Sequence, residues 1–298
     1  MASLDELALT RAGAKTDSSD SPSRRAFARL RRDPGFFWGS MLLGVLVLLA
    51  LAAPWIRPYD PIEMRLGEAL QAPNVRHLMG TDNFGRDILS RVLIGARLSL
   101  GVGIVATALA TLVGTALGLV AGYWGGWVDA VIGWVVDMLM AFPGILLALG
   151  IVAILGTGLF NVLLAVGIAS VPGFIRLIRG ATLAVKERPY VEAALALGAS
   201  TSFVLRRHIL PNVFPAVLVW ASLGLAGMIL SASGLSFLGL GSQPPSPEWG
   251  VMVNVGRGFL REAWWMATFP GLAIFSTVVA INLLGDALRD ALDPHIRH

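Results

Sequence analysis

The 298-residue chain reads as an all-α membrane protein, a bundle of six transmembrane helices with a further helical elbow at the membrane surface. Three observations carry that reading. Hydrophobic residues make up 55% of the sequence and charged residues only 14%, where a soluble domain has roughly 25% charged. Mean hydropathy is +0.72. Apolar stretches recur at lengths of about 20 residues, enough to cross a bilayer core as a helix. The 34 glycines fit the same picture, since small residues let membrane helices approach closely.

Taken in order, residues 1–33 are polar, with Ser-Ser-Asp-Ser at 18–21 and a basic run over 24–32. They read as a disordered tail followed by a short basic surface helix. The first apolar span, 36–56, holds 21 uncharged residues and reads as a retained helix. A cleaved leader would carry a shorter apolar run, of about 7–15 residues. Residues 57–97 are polar, with Pro58, Pro61 and Pro73 and a turn-like stretch over 80–87. Further spans are expected over 98–123, 131–155, 159–177, 213–233 and 265–284, with breaks at Gly125-Gly126 and Gly156-Thr-Gly158. A charged loop is expected over 179–207 and a Pro-rich one over 243–248. Pro143 and Pro172 should kink their spans.

The excess of Lys and Arg in the N-terminal tail and in the 179–207 segment favours a cytoplasmic N-terminus. Six spans then return the C-terminus to the same side. Trp38, Trp55, Trp124, Trp127, Trp264 and Trp265 lie near span ends, where an interfacial belt forms. Gly114, Gly118 and Gly122 share one helix face, either for packing within the subunit or for contact with a partner subunit.

The chain has no cysteine, which excludes a disulfide framework, a thiolate metal site and a cysteine nucleophile. Its four histidines, at 77, 208, 295 and 298, form no spaced ligand set. No Gly-x-Ser-x-Gly, His-Glu-x-x-His or Walker A sequence is present, so an intramembrane hydrolase is a distant alternative and any ATP chemistry would have to lie on another chain. A passive channel is the remaining alternative. No cofactor, metal or nucleic-acid partner is expected. The net charge of +4 is spread among apolar spans and speaks for orientation in the membrane.

The stretch Tyr190-Val-Glu-Ala-Ala-Leu-Ala-Leu-Gly198, running on to Arg207-His-Ile-Leu-Pro211, predicts the elbow. Residues 190–197 favour helix, Gly198 can end it in the left-handed conformation, and Thr201 or Ser202 can cap a second short helix. Pro211 suits the first turn of the fifth span. A rigid elbow between two spans can transmit force from a soluble partner to the bundle.

This stretch resembles the signature of permease subunits of binding-protein-dependent ABC importers. Glu192, Ala193, Ala194, Gly198, Leu210 and Pro211 match in place, while His208 stands where the general pattern has Ile. His77-Leu-Met-Gly-Thr-Asp82, Ala121-Gly-Tyr-Trp-Gly-Gly-Trp-Val-Asp129, Ser236-Phe-Leu-Gly-Leu-Gly241 and Leu283-Leu-Gly-Asp-Ala-Leu-Arg-Asp290 are similar to the C-type permease of dipeptide and oligopeptide importers. The resemblance implies a coupling helix docked on an ATPase subunit, with those six residues as its ATPase-coupling set. It also implies a heterodimer with a homologous permease, two ATPase subunits, an extracytoplasmic substrate-binding protein and a bacterial inner-membrane location. Short peptides are the implied substrates, with glutathione-like molecules and nickel chelates as alternatives. Glu192 on a bare surface helix would be a solvated carboxylate; in register with the motif it takes a coupling role. Asp137, inside an apolar span, is a candidate intramembrane polar site or a packing residue. The expected organisation is a cytoplasmic tail (1–35), a first helix with its extracytoplasmic segment (36–97), a permease domain (98–288) and a C-terminal tail (289–298).

Overall fold

The computed structural model describes residues 30–31 and 33–292. Most of the expected N-terminal tail with its surface helix, and residues 293–298, lie outside the described residues. Among the described residues the regular secondary structure is helical, with one isolated bridge between Thr81 and Asp87. Five helices are long and apolar enough to cross a membrane, and a sixth span arises if one bent pair counts as one.

Helix α1 (Pro34–Ile56) starts at Asp33, whose carboxylate accepts from the Phe36 amide at 2.8 Å, and has Pro34 in its first turn. Helix α2 (Ile88–Trp124) has 37 residues, about 55 Å at about 1.5 Å per residue, and so rises well beyond a bilayer core of about 30 Å. It begins ten residues before the expected start at 98. The extra turns survive because Asp87 caps them and Arg91 donates to the Pro61 carbonyl at 2.7 Å and to the Pro245 and Ser246 carbonyls.

The span expected over 131–155 is not one helix. Helix α3 (Gly126–Met140) and helix α4 (Gly144–Leu155) meet at 90°. Pro143 stands at the corner in an extended conformation and offers no amide hydrogen to continue α3. Pro172, by contrast, sits buried inside one uninterrupted helix, α5 (Leu159–Lys186). That helix continues through Arg179 to Lys186, into the region expected as a charged loop. Its charges are satisfied from neighbouring helices, which removes the reason to leave helical conformation.

Helix α6 (Pro189–Ala196) and the short α7 (Thr201–Val204) form the elbow. A π-helical turn (Leu205–Ile209) then leads into α8 (Leu210–Phe237). The second arm is therefore fused to the fifth span rather than set off from it. A short buried helix, α9 (Trp249–Gly256), was not anticipated; it follows the Pro-rich loop and is capped by Glu248. Helix α10 (Trp265–Leu292) runs eight residues past the expected end at 284.

The most extensive helix contact joins α2 to α5, and α8 packs against α2, α5 and α10. A Cβ on Gly114, Gly118 or Gly122 would lie 2.2, 2.8 or 2.7 Å from the Cβ of Phe174, Ile178 or Thr182, respectively. Both series repeat every four residues, so one face of α2 lies flush along one face of α5. The glycine series thus serves packing within the subunit.

Candidate functional site: the elbow and the charged face of α3 and α5

Gly198 has φ +82°, the left-handed conformation expected of it, and turns the chain out of α6. The second arm is capped by Ser200, whose hydroxyl accepts from the Phe203 amide at 3.4 Å, not by Thr201 or Ser202. Ser200 wins because it is the last residue in extended conformation, the geometry an N-cap requires.

One side of the elbow is anchored. Val191, Val204 and Ile209 are fully buried and pack with Ile178, Val213 and Val217 at the ends of α5 and α8. His208 lies between Tyr190 on the first arm and Phe203 on the second, tilted to one ring and edge-on to the other, with ring centres 5.9 and 5.6 Å away. That contact gives the departure at position 208 a structural role, tying the arms together. The other side is open. Glu192, Ala193 and Gly198 face solvent, Leu197 is 89% exposed and Phe203 is exposed as well. Ala194, Leu197, Gly198, Ala199, Ser200 and Phe203 line a shallow hollow of about 420 Å³. Leu210 and Pro211 lie in the first turn of α8, exposed near the hinge but not part of that hollow. Of the six expected coupling residues, the structure brings Glu192, Ala193, Ala194 and Gly198 together on the first arm.

Asp137 does not stand alone. It receives a hydrogen bond from Arg176 at 2.5 Å. Two helical turns earlier on α3, Asp129 is gripped by Arg179 through both carboxylate oxygens, the second at 2.6 Å. The two pairs border one cavity of about 410 Å³ between α3 and α5, shared with Gly133 and Val136. Sequence reasoning singled out Asp137 alone. The available signal was two acids within one apolar stretch and two arginines three residues apart in another.

The opposite end of the bundle carries a polar crown built from the segment after α1. His77, Asp82, Arg86, Asp87 and Arg91 are all buried there. Asp82 accepts from the Phe84 and Arg86 amides and from Arg86 Nε at 2.6 Å, so the turn-like stretch is held by its own carboxylate. Trp265, expected in an interfacial belt, is buried in the crown and donates to the Thr81 carbonyl at 3.0 Å. Trp38, Trp55, Trp124, Trp127 and Trp264 are exposed, as a belt requires.

Similarity to known families gives this bundle, with its elbow between two membrane-crossing helices, its class: the membrane subunit of an ABC importer. The chain belongs to the family of binding-protein-dependent transport system inner membrane components, which it matches over residues 114–298. Residues 21–73 match the N-terminal transmembrane domain of oligopeptide transport permease C. The glutathione transport system permease protein GsiD of Escherichia coli O6:K15:H31 (strain 536 / UPEC) is 46% identical over 284 residues, covering 95% of this chain and 94% of that protein. GsiD of Pectobacterium atrosepticum is 45% identical over 281 residues, covering 93% and 92%. The fold is similar to that of a chain in the inward-facing MetNI methionine ABC transporter, with TM-score 0.57 and 18% identity over 69% of this chain and 98% of that one. The chain is thus a multi-pass inner-membrane permease subunit of an ABC importer in the peptide and glutathione group.

Proposed function

We propose that this chain forms half of the translocation path of an importer for short peptides, glutathione included. A homologous permease supplies the other half. Two ATPase subunits and an extracytoplasmic substrate-binding protein complete the assembly, and ATP is hydrolysed on the ATPase subunits. The elbow carries this reading. It is anchored to α5 and α8 through Val191, Val204 and Ile209, while its Gly198 side is open for a partner. A push on that side is passed to two membrane-crossing helices at once. Glu192, Ala193, Ala194, Gly198, Leu210 and Pro211 are assigned the coupling role. Nucleotide binding and hydrolysis would rock the paired bundle between outward and inward states around a central path.

The elbow end is assigned to the cytoplasm and the crown to the outside, with both termini cytoplasmic. Lys186, Arg188, Arg206 and Arg207 gather at the elbow end, in keeping with the excess of basic residues on cytoplasmic loops. The domain division given above is proposed with this topology, its boundaries at 97/98 and 288/289 falling inside α2 and α10. Support for peptides comes from the relatives, named for glutathione transport, and from the oligopeptide-permease match at the N-terminus.

The test is reconstitution of the importer with its partner subunits in liposomes. ATP-driven, binding-protein-dependent uptake of labelled glutathione and a tripeptide is expected. Uptake of a nickel chelate with no peptide uptake would overturn the substrate assignment, and flux without ATP would mark a passive channel. A reporter inserted at the exposed Val75 should read extracytoplasmic and one fused at the C-terminus cytoplasmic; the reverse pattern overturns the orientation.

A further inference from the structure

We propose that Arg176 and Asp137 form a contact site on the translocation path for the charged ends of a zwitterionic peptide, Arg176 for the carboxylate and Asp137 for the ammonium. This rests on the reading of the chain as a peptide importer.

Depth comes first. Lys186 Nζ donates to the Tyr123 carbonyl at 2.7 Å, so α5 and α2 end at one level, marked by a lysine head and flanked by Trp124. A lysine head and a Trp suit the membrane interface. Arg176 precedes Lys186 by ten residues, about 15 Å along a helix, which is half of a core of about 30 Å. The Arg176 pair therefore lies near mid-depth, the level at which secondary transporters bind substrate between bundle halves.

The two ion pairs differ in kind. Arg179 and Asp129 are closed on each other, with both carboxylate oxygens engaged. Arg176 and Asp137 share one hydrogen bond, and among the described residues the rest of the guanidinium and Asp137 Oδ2 have no other hydrogen-bond partner. A guanidinium has five donors and a carboxylate about four acceptor positions, so most of the capacity of this pair is unused. Arg176 is 55% and Asp137 71% exposed at the side chain. Charges at mid-depth face a water-filled space or another protein chain, not lipid. The space beside them measures about 410 Å³, within the range of about 300–1,000 Å³ typical of small-molecule sites. A peptide leaving water there keeps its charged ends satisfied only if charges of opposite sign are waiting. The single bond between Arg176 and Asp137 can be exchanged for one bond to each end.

The chain has no cysteine, so one introduced thiol reports without background from this subunit. Gly133 lies one turn from Asp137 on the same face, borders the cavity, and has nothing within 4 Å of a Cβ built there. The probe is thiol-free S-methylglutathione, delivered by the binding protein to a reconstituted Gly133→Cys importer hydrolysing ATP. The cysteine should react with a charged, membrane-impermeant methanethiosulfonate, and S-methylglutathione should slow that reaction several-fold. Adding Arg176→Gln should abolish the protection, and Arg176→Lys should restore part of it. Reaction with N-ethylmaleimide alone places the face in lipid and overturns the proposal. Reaction with neither reagent places it against a partner chain and overturns the proposal too. Protection that survives Arg176→Gln is equally fatal to it. Uptake of S-methylglutathione is followed on the same vesicles. Uptake without protection sinks this site alone, whereas absence of uptake sinks the substrate reading beneath it.

Discussion

His77 and Asp87 meet inside the crown, Nδ1 to Oδ1 at 2.9 Å, with both side chains almost wholly buried. The same carboxylate caps α2, accepting from the Ser90 amide at 2.8 Å and its hydroxyl at 2.7 Å. One aspartate thus ties the crown to the start of the longest helix. Asp87→Ala should lower stability by about 2–4 kcal/mol, combining a lost N-cap with buried polar groups left without a partner. Thermal unfolding of the purified protein in detergent measures this. A change within about 0.5 kcal/mol, as at an ordinary surface site, would show that the crown does not depend on the contact.

The flush packing of α2 on α5 makes a second prediction. In Gly118→Val the added carbon would lie 2.8 Å from Ile178 Cβ and 2.9 Å from the Ile175 carbonyl oxygen. Neither neighbour is the free end of a flexible side chain, so the helices must separate. A cost of about 1–3 kcal/mol or more is expected, seen as poor yield of monodisperse protein. Gly101→Val, where a Cβ meets nothing within 4 Å, is the control and should be far milder.

Gly198 has space for a side chain, with nothing within 4 Å of its Cβ, but an unsuitable φ for one. Gly198→Val should cost about 1–3 kcal/mol of local strain and misalign the elbow, while Gly198→Asn should be tolerated. Glu192→Ala removes an exposed charge without touching the anchor. Both Gly198→Val and Glu192→Ala should reach the membrane at near-normal levels yet lose transport and substrate-stimulated ATP hydrolysis. ATPase pull-down should weaken more for Gly198→Val. Unchanged transport and association in both would mean that the elbow is only a connector.

Glu248 caps α9, accepting from the Gly250 and Val251 amides at 3.0 Å each. Burial raises its pKa above the ordinary 4.5, outweighing those hydrogen bonds. The folded protein therefore binds more protons than the unfolded one between 4.5 and the raised value. Stability from this group is present below that window and is lost as pH rises through it. Glu248→Gln keeps an acceptor oxygen and removes the charge. It should flatten this part of the pH dependence of Tm, with the variant gaining on the native protein toward neutral pH. A variant that instead falls behind as pH rises would show that the ionised carboxylate is the favoured form.

The apolar spans were legible along the chain because membrane burial demands about 20 apolar residues in a row, a property of local composition. The elbow was legible for a related reason. A Gly at the end of a helix-favouring run and a Pro at the start of an apolar one are local signals, and Gly198 does take the left-handed conformation. Helix ends were misjudged wherever a charge meets a distant partner. Arg91 reaches carbonyls more than 150 positions away, and Arg179 finds Asp129 fifty positions earlier. Such charges look like loop residues until the chain folds, because what keeps them helical is a partner that sequence distance conceals. The same holds for Gly114, Gly118 and Gly122. Their spacing announced a close contact, but its choice of Phe174, Ile178 and Thr182 over another subunit came from the docking of α2 on α5. Composition and local motif thus specified a membrane bundle with an elbow. Long-range pairing set how far α2 and α5 run and which faces they bury against each other.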